Sequence, residues 1–393
     1  MHKKLLSFLL AAPASADIIF ATSYNDHALT TLDFSGGKLT KVGSPKLDCG
    51  SEPTWLTLDS ANSVLYCLNE GWGGASSITS YKASANGSLT TLDVLPVLKS
   101  PVASTLFGAN SSRLAVAFYD TSSFATFSVA NPKDLALLSQ TNYTLAAPGP
   151  HPDRQEAPHL HDAVLDPSKK FILVPDLGSD LLRVYKVDES AASGASAVGV
   201  VKAVAGSGPR HAVFATAGAK TYLYTVNELS NTITGYTVSY KADGSFPEFT
   251  QIFDVSTHGP GGSVPAGTKS AEIQISPDNK FIIVSSRGEK SVTIPALDGS
   301  SNSTIASDPL ISFSIDAATG KLTLVQVGPA GGVNPRGFTL NKAGTLVVSA
   351  LQDDNRVVVI ERDVKTGMLG KILGHATVGM GDGNGPNYAL FYE

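Results

Sequence analysis

The sequence predicts an all-β fold, a β-propeller of seven blades with four antiparallel strands in each blade, and three observations support this. Helical periodicity is almost absent, and short runs rich in Val, Ile, Leu, Thr, Phe and Tyr recur throughout the 393 residues. Turn signals such as Asn86-Gly87 and Asp243-Gly244 separate these runs. A repeat of four runs returns at spacings of 48 to 64 residues, which is typical of propeller blades.

Each copy of the repeat begins with a proline or a small residue and continues with a strand, a tight turn and a second strand. A polar loop, a third strand, another turn and a fourth strand complete it. The copies begin at Pro53, Pro101, Pro158, Pro209, Ala271, Pro335 and Pro386. In the copy from Ala271, the run SVTI, which ends at Ile294, is the expected third strand.

The seventh copy, PNYALFYE, contains only one strand, and three strand-like runs between Ile18 and Gly43 have no copy of their own. We therefore expect Asn387–Tyr392 to pair with Ile18–Tyr24, so that the two ends of the chain complete one blade and close the ring. Closure removes the open sheet edges of a linear array. Residues 17–393 then form a single domain, and segments 142–157, 256–270 and 297–309 are insertions between strands.

The first 16 residues have the pattern of a secretory signal peptide. Lys3 and Lys4 precede an apolar run, and Ala14-Ser15-Ala16 is a small-x-small cleavage site. We expect cleavage after Ala16 and a secreted protein. Four N-glycosylation sequons agree with export; they begin at Asn86, Asn110, Asn142 and Asn302.

Cys49 and Cys67 are the two cysteines of the chain. An oxidising compartment would allow them to form a disulfide, but Cys67 lies in an apolar run, where a buried free thiol is also at home. The sequence leaves both alternatives open.

Charge narrows the range of partners. Only 16% of the residues are charged, the net charge is −5, and no basic run follows the first residues. Nucleic acid is therefore not an expected partner, because phosphate binding needs a concentrated basic face. No later segment is apolar and long enough for a membrane helix.

Blade geometry predicts which side chains meet. In an up-and-down blade the first strand is innermost, and its start lies beside the end of the second strand, so these positions surround one mouth of the channel. Strand starts supply His159, His161, Arg210, His211, Glu272 and Arg336. Strand ends supply Asn69, Glu70, Asp120, Asp176, Asn227, Glu228, Arg287, Gln352, Asp354 and Asn355, and the preceding insertion adds Arg154 and Gln155.

The arginines carry most of the functional information. Arg210, Arg287 and Arg336 would repel one another at one mouth unless an anion or carboxylates neutralise them. Glu228 and Glu272 could form such a structural network. The functional alternative is an anionic ligand held by guanidinium groups, with His161 moving a proton near neutral pH. His159 and His161 share a strand face, but no third metal ligand is evident, so we expect no metal and no cofactor.

These motifs resemble the lactonase family of seven-bladed propellers. The resemblance is carried by the run RQEAPHLHDAVLDPSKKFILVPDLGSDLLRVYKVD, by GPRHAVF and YTVNELSNTI, and by AEIQISPDNKFIIVSSRG and NPRGFTLNKAGTLVVSALQDDNRVVVIERD. The family includes propeller-type 6-phosphogluconolactonase and the fungal 3-carboxy-cis,cis-muconate lactonizing enzyme.

The resemblance implies roles for individual residues. Similarity to the muconate enzyme assigns His161, Arg210, Glu228 and Arg287 to catalysis. Similarity to the lactonase branch assigns Arg154, Gln155, His159, Glu272 and Gln352 to the pocket, beside Arg336. The signal peptide is a departure from both enzymes, whose substrates are intracellular.

Three functions remain open on the sequence. The first is a metal-independent lactonase acting on a sugar lactone, with arginines holding the substrate anion and His161 as general base. The second is a lactonizing cycloisomerase, a carboxy-cis,cis-muconate cyclase. The third is a secreted binding propeller without turnover. The expected partner is a small-molecule lactone or an anionic sugar-acid substrate, and the sequence does not indicate the oligomeric state.

Overall fold

The computed structural model describes residues 17–299, 303–381 and 383–393. The predicted signal peptide, residues 1–16, and the sequon asparagine Asn302 lie outside the described residues. Seven four-stranded antiparallel sheets are present in the described part of the chain, which confirms the predicted fold class.

The strands follow the chain from the closing blade onwards. The described part of the chain begins with β1 (Asp17–Ser23), β2 (Ala28–Ser35) and β3 (Lys38–Lys41). Blade 1 contains β4 (Pro53–Asp59), β5 (Val64–Asn69), β6 (Ser76–Ala83) and β7 (Leu89–Val97). Blade 2 contains β8 (Pro101–Phe107), β9 (Arg113–Phe118), β10 (Ser123–Ser128) and β11 (Ala136–Asn142). Blade 3 contains β12 (Val164–Leu165), β13 (Phe171–Asp176), β14 (Leu181–Val187) and β15 (Ala195–Lys202).

The remaining blades follow in the same order. Blade 4 contains β16 (Pro209–Ala217), β17 (Lys220–Asn227), β18 (Thr232–Ser239) and β19 (Glu248–Ser256). Blade 5 begins with β20 (Lys269–Ile275) and β21 (Phe281–Arg287), followed by the hairpin β22 (Val292–Pro295) and β23 (Thr304–Ser307), and ends with β24 (Pro309–Ile315) and β25 (Leu322–Pro329). Blade 6 contains β26 (Pro335–Leu340), β27 (Leu346–Leu351), β28 (Arg356–Arg362) and β29 (Leu369–Thr377), and the last strand is β30 (Pro386–Phe391). Two 3-10 turns, Ala109–Ser111 and Gln352–Asp354, complete the regular structure, and no described helix is long and apolar enough to cross a membrane.

The ring closes as the sequence predicts. Blade 7 has the strand order β3-β2-β1-β30, and the innermost strand β30 pairs with β1 through Phe20 with Leu390 and Ala21 with Ala389. Sheet closure therefore joins strands that are more than 350 residues apart in the chain.

The prediction that the run SVTI forms the third strand of blade 5 is wrong. The run SVTI contributes β22, which pairs only with β23 in a separate two-stranded hairpin. The third strand of the blade is β24, which pairs with β21. Both runs have strand-forming side chains, and periodicity alone does not separate an inserted hairpin from a blade strand.

Seven hydrophobic clusters of described residues hold the ring together, one between each pair of neighbouring blades. Alternation along β1 shows how a strand serves two interfaces: Ile18 and Phe20 pack toward blade 1, whereas Ile19 and Ala21 pack toward blade 6. The blades thus bury both faces of their inner strands.

The structure also decides between the two alternatives for the cysteines. Cys49 and Cys67 form a buried disulfide with a Cα–Cα distance of 5.9 Å. The bond joins the segment before blade 1 to β5 and lies in the cluster between blades 7 and 1.

Candidate active site

A β-bulge at the start of the inner strands directs side chains into the channel. In blade 4, Pro209 pairs with Asn227 and His211 with Val226, so that Arg210 has no partner in the ladder. The same shift leaves one residue without a ladder partner in four other blades; these residues are Thr54, Val102, Arg336 and Asn387. All five line the narrow central channel. A bulge turns a side chain away from the regular alternation, and here it delivers two arginines to the axis.

The second strands end beside these bulges and supply the carboxylates. Glu228 follows β17 directly, Glu70 follows β5, and Arg287 is the final residue of β21. Together with the bulge residues they surround a cleft of about 360 Å³ at one mouth of the channel. The narrow channel continues beneath it, and the two share Val102, His161, Arg210 and Arg336.

One side of the cleft, the Glu228 wall, consists of Glu228 with Arg154, Arg210 and Arg287. Arg154 Nη2 lies 2.6 Å from Glu228 Oε1, and Arg287 Nη2 and Arg210 Nε each lie 3.0 Å from Oε2. The Arg210 contact is an ion pair only, because its Nε–H does not point at the oxygen, whereas its Nη1 donates to the carbonyl of Ala271 at 2.7 Å.

Electrostatics in this wall follow from burial and crowding. Burial alone would raise the pKa of Glu228, but Arg287, Arg210 and Arg154 outweigh it and lower the pKa to about 2. Burial and the adjacent Arg287 lower the pKa of Arg210 to about 9, so that it remains protonated at neutral pH. Three guanidinium groups therefore share one carboxylate.

The other side, the Glu70 wall, consists of Glu70 with Tyr24, Trp72 and Arg336. Glu70 accepts hydrogen bonds from the Tyr24 hydroxyl and, at 2.8 Å, from Trp72 Nε1. Arg336 Nη2 stays 3.8 Å from Glu70, and its guanidinium lies 5.5 Å from the centre of the Tyr24 ring. Arg336 thus has the longest ion-pair distance to a carboxylate among the four arginines of the cleft.

The cleft as a whole carries surplus positive charge although the protein has a net charge of −5. Its lining has five cationic side chains, Arg154, Arg210, Lys269, Arg287 and Arg336, and three carboxylates, Glu70, Asp120 and Glu228. An excess of two positive charges in a concave site favours an anionic ligand.

His161 lies between the cleft and the channel beneath it. Burial, with the nearby charge of Arg210, holds the pKa of His161 well below its usual range. The ring is therefore neutral at pH 7. Its Nδ1 is 3.2 Å from Nε2 of His211, and the Tyr119 ring packs against it at 5.4 Å in an edge-on arrangement.

The structure brings some of the predicted residues together and not others. His161, Arg154, Arg210, Glu228, Arg287 and Arg336 line the cleft, whereas Glu272 lines the channel beneath it. Gln155 is fully buried, accepts from the backbone N of His151 and donates to the carbonyl of Leu177, so it fixes the insertion loop. Gln352 donates to Asn384 at 2.6 Å, outside the cleft lining.

His159 does not join His161 at the cleft. Its ring stacks on Tyr119 at 4.1 Å and contacts Glu156 at 2.9 Å. No group of three or more His, Cys, Asp or Glu side chains in the described part of the chain is arranged to hold a metal.

Some lining residues were either absent from the predicted mouth or, like His211, predicted there without a role. Tyr119, Trp72 and Lys269 line the cleft, and His211 lines the channel beneath it. His211 was recognisable as a strand start, and Tyr119 precedes Asp120 at a strand end, but aromatic and lysine side chains at such positions carry no specific signal.

Comparison with known proteins agrees with this architecture. The family model described as "Lactonase, 7-bladed beta-propeller" matches residues 18–381. A curated relative from Arthroderma benhamiae, named "Probable 6-phosphogluconolactonase", is 32% identical over 92% of this chain and 86% of its own length. The 6-phosphogluconolactonase of Bacillus subtilis is 25% identical over 84% of this chain and 85% of its own length.

A solved structure shows the same fold. The periplasmic gluconolactonase of Pseudomonas aeruginosa superposes with a TM-score of 0.78 over 96% of this chain and 99% of its own, at 24% identity. The extent of the family match and of the A. benhamiae relative shows that this chain belongs to the lactonase family of seven-bladed β-propellers.

Proposed function

We propose that this protein is a metal-independent lactonase that hydrolyses a sugar lactone bearing an anionic group, as 6-phosphogluconolactone does. The observation that carries the proposal is a neutral His161 at the floor of a cleft with surplus guanidinium groups. The names of the relatives from A. benhamiae and B. subtilis support the same substrate class.

In the proposed reaction His161 acts as general base through Nε2. It takes a proton from water as the water oxygen attacks the lactone carbonyl carbon. Because burial keeps the ring neutral, it has a free lone pair at pH 7. The tetrahedral intermediate then collapses, the ring C–O bond breaks, and the leaving oxygen takes the proton back from His161. The product is the open-chain hydroxy acid.

Arg287 is the proposed donor to the developing oxyanion. It and Arg210 both contact Glu228, but the side chain of Arg210 is only 3% exposed, whereas that of Arg287 is 13% exposed at the cleft. Guanidinium N–H groups fixed by Glu228 are preorganised for a negative oxygen. The role of Glu228 is then to hold these arginines, because its ion pairs are with arginines and not with His161.

Arg336 and Lys269 are the proposed holders of the substrate anion. Arg336 has the weakest contact to a carboxylate of the four arginines, and Lys269 lines the same cleft. A phosphate or carboxylate between Arg336 and Lys269 would pair with these two cations, as Glu228 pairs with the other three guanidinium groups.

Export is part of the proposal. The Cys49–Cys67 disulfide suits an oxidising compartment, and the sequon asparagines Asn86, Asn110 and Asn142 are exposed. Sequencing the N-terminus of the protein from culture medium tests this: we expect it to start at Asp17, and a cytosolic protein with Met1 intact would contradict export.

The test of catalysis is replacement of His161 by Ala, assayed on 6-phosphogluconolactone, gluconolactone and 3-carboxy-cis,cis-muconate. We expect hydrolysis of the phosphorylated lactone by the wild type, and a fall in kcat of about 10²- to 10⁴-fold in the variant because the general base is lost. His159→Ala is the matched control, since that ring faces Glu156 and Tyr119 instead of the cleft.

Three outcomes contradict the proposal. Turnover of the muconate alone would make the protein a cycloisomerase, and tight sugar binding without any turnover would make it a binding propeller. Unchanged kcat in His161→Ala, with the fold intact by thermal melting, would exclude the general base.

A further inference from the structure

A buried line of three titratable side chains runs from the cleft into the channel beneath it. His161, His211 and Glu272 are 6%, 3% and 2% exposed. His161 Nδ1 and His211 Nε2 are 3.2 Å apart, and His211 Nδ1 is 3.2 Å from both carboxylate oxygens of Glu272. The outer end of this line is the proposed general base.

The inner end of the line is an acceptor. Glu272 Oε1 accepts hydrogen bonds from the backbone N of Ile273 and from Nε2 of Gln274, each at 3.1 Å. Its own backbone N donates to Ser285 Oγ at 3.0 Å, which anchors the residue in its bulge. A carboxylate held in this way orients the ring beside it, so His211 presents Nδ1–H to Glu272.

The nitrogen that carries the proton on His211 then determines which nitrogen carries it on His161. A His211 ring whose single N–H is on Nδ1 has a lone pair on Nε2, which accepts the Nδ1–H of His161. Neutral His161 consequently has its own lone pair on Nε2, the nitrogen that makes no hydrogen bond to the described residues. The ring of Trp55, edge-on at 5.5 Å, packs against His211 and restricts its rotation.

We infer that His211 and Glu272 are positioning residues that fix His161 in the tautomer with its Nε2 lone pair toward the cleft. The inference rests on the proposed role of His161 as general base and adds the device that makes it competent. Protonation at Nε2 would leave the Nδ1–H···His211 contact in place, and the Glu272 carboxylate beside His211 would stabilise the new positive charge.

The surroundings explain why such a device is needed. Burial and the charges of Arg210 and Arg336 disfavour an additional proton on His161, and the Tyr119 ring closes another side. Without a carboxylate at the far end of the line, the two possible tautomers of His161 would differ only by these neighbours, and the unproductive one would have Nε2–H facing the substrate water.

Nitrogen-15 NMR of histidine-labelled protein tests the inference without relying on turnover. In the wild type we expect a pyridine-type Nε2 and a pyrrole-type Nδ1 for His161 at pH 7. A wild-type spectrum with the proton of His161 on Nε2 would overturn the inference, whatever the activity. The correct tautomer in an inactive wild type would instead contradict only the proposed function.

Glu272→Gln is expected to reverse the direction of the hydrogen bonds along this line. The glutamine amide offers a hydrogen to His211 Nδ1, which moves the proton of His211 to Nε2 and that of His161 to its own Nε2. We expect the two nitrogen signals of His161 to exchange character, and kcat to fall by about 10²- to 10⁴-fold with little change in KM. An unchanged tautomer in this variant would overturn the inference.

Asp162→Asn is the matched control. Asp162 is a buried carboxylate near His211, but among the described residues its oxygens accept from the backbone N of Ala163 and Ala212. This variant removes a neighbouring buried charge and leaves the line intact, so His161 should keep its tautomer. A change of tautomer here as large as in Glu272→Gln would show a general field effect and contradict the specific line.

Discussion

The two walls of the cleft have similar scaffolds and different ion-pair distances. Glu228 and Glu70 each follow the second strand of a blade, and both are 4% exposed. Glu228 has three guanidinium groups within 3.0 Å, whereas Glu70 is satisfied by Tyr24 and Trp72 and has Arg336 at 3.8 Å. In the Glu228 wall the arginines are held in short ion pairs, whereas in the Glu70 wall the more distant Arg336 can turn to a ligand.

Replacing each glutamate in turn is expected to give the largest difference in stability between the two walls. Glu228→Gln leaves Arg154, Arg210 and Arg287 without their shared carboxylate, and we expect the free energy of unfolding to fall by about 3–5 kcal/mol. Glu70→Gln keeps one oxygen, which can accept from Trp72 Nε1 while the new amide donates to the Tyr24 hydroxyl, and should cost about 1–2 kcal/mol. Urea unfolding measures both, and equal losses would contradict the difference between the walls.

Acid titration probes the Glu228 wall alone. The pKa of Glu228 is about 2 in the folded state against 4.5 for an ordinary glutamate, so its contribution is complete above pH 4.5 and is lost as the pH falls toward 2. The contribution is about 3 kcal/mol. Unfolding measured between pH 5 and 2 should show this slope in Glu70→Gln, and a similar slope in Glu228→Gln would contradict its assignment.

Arg336→Met tests whether the Glu70 wall binds the substrate anion. If Arg336 holds the substrate anion, KM for a phosphorylated lactone should rise by about 10- to 100-fold, since a hydrogen bond to a charged group contributes about 1.5–3 kcal/mol. KM for neutral gluconolactone should change little. Arg154→Met is the control, because Arg154 is already paired with Glu228; an equal effect there would remove the distinction between the walls.

Arg287→Lys is expected to have the smallest effect. The positive charge beside Glu228 remains, but a lysine does not form the planar pair of donors that Arg287 presents. We expect kcat to fall by about tenfold, with stability close to that of the wild type. Steady-state kinetics and thermal melting decide this, and a large drop in Tm with normal kcat would make Arg287 a structural residue.

Much of the fold and part of the site follow from the sequence. Proline-led repeats are enough to count blades, and the missing strands of the last copy predict that β30 pairs with β1. Strand starts and ends also place Arg210, Arg336, Glu228 and Arg287 at one mouth, because blade geometry alone determines those positions.

The remaining details depend on packing that the sequence does not encode locally. Gln155 belongs to the insertion loop because its amide bonds the backbone of His151 and Leu177, contacts that no periodicity reveals. His159 turns to Tyr119 of the neighbouring blade, although its spacing from His161 suggested a shared face. The bulges that direct Arg210 and Arg336 inward are likewise visible only in the register of the strands.

The closing blade gives the Glu70 wall an unusual dependence on the two ends of the propeller. Tyr24 follows β1 and contacts Glu70, while Asn387 of β30 donates to the carbonyl of Pro53 in blade 1. Arg336 packs beside the same seam. A ligand held by Arg336 would therefore favour the closed ring over any state in which β30 has detached, by thermodynamic linkage. Bound substrate would therefore stabilise the pairing of β30 and slow amide hydrogen exchange along that strand.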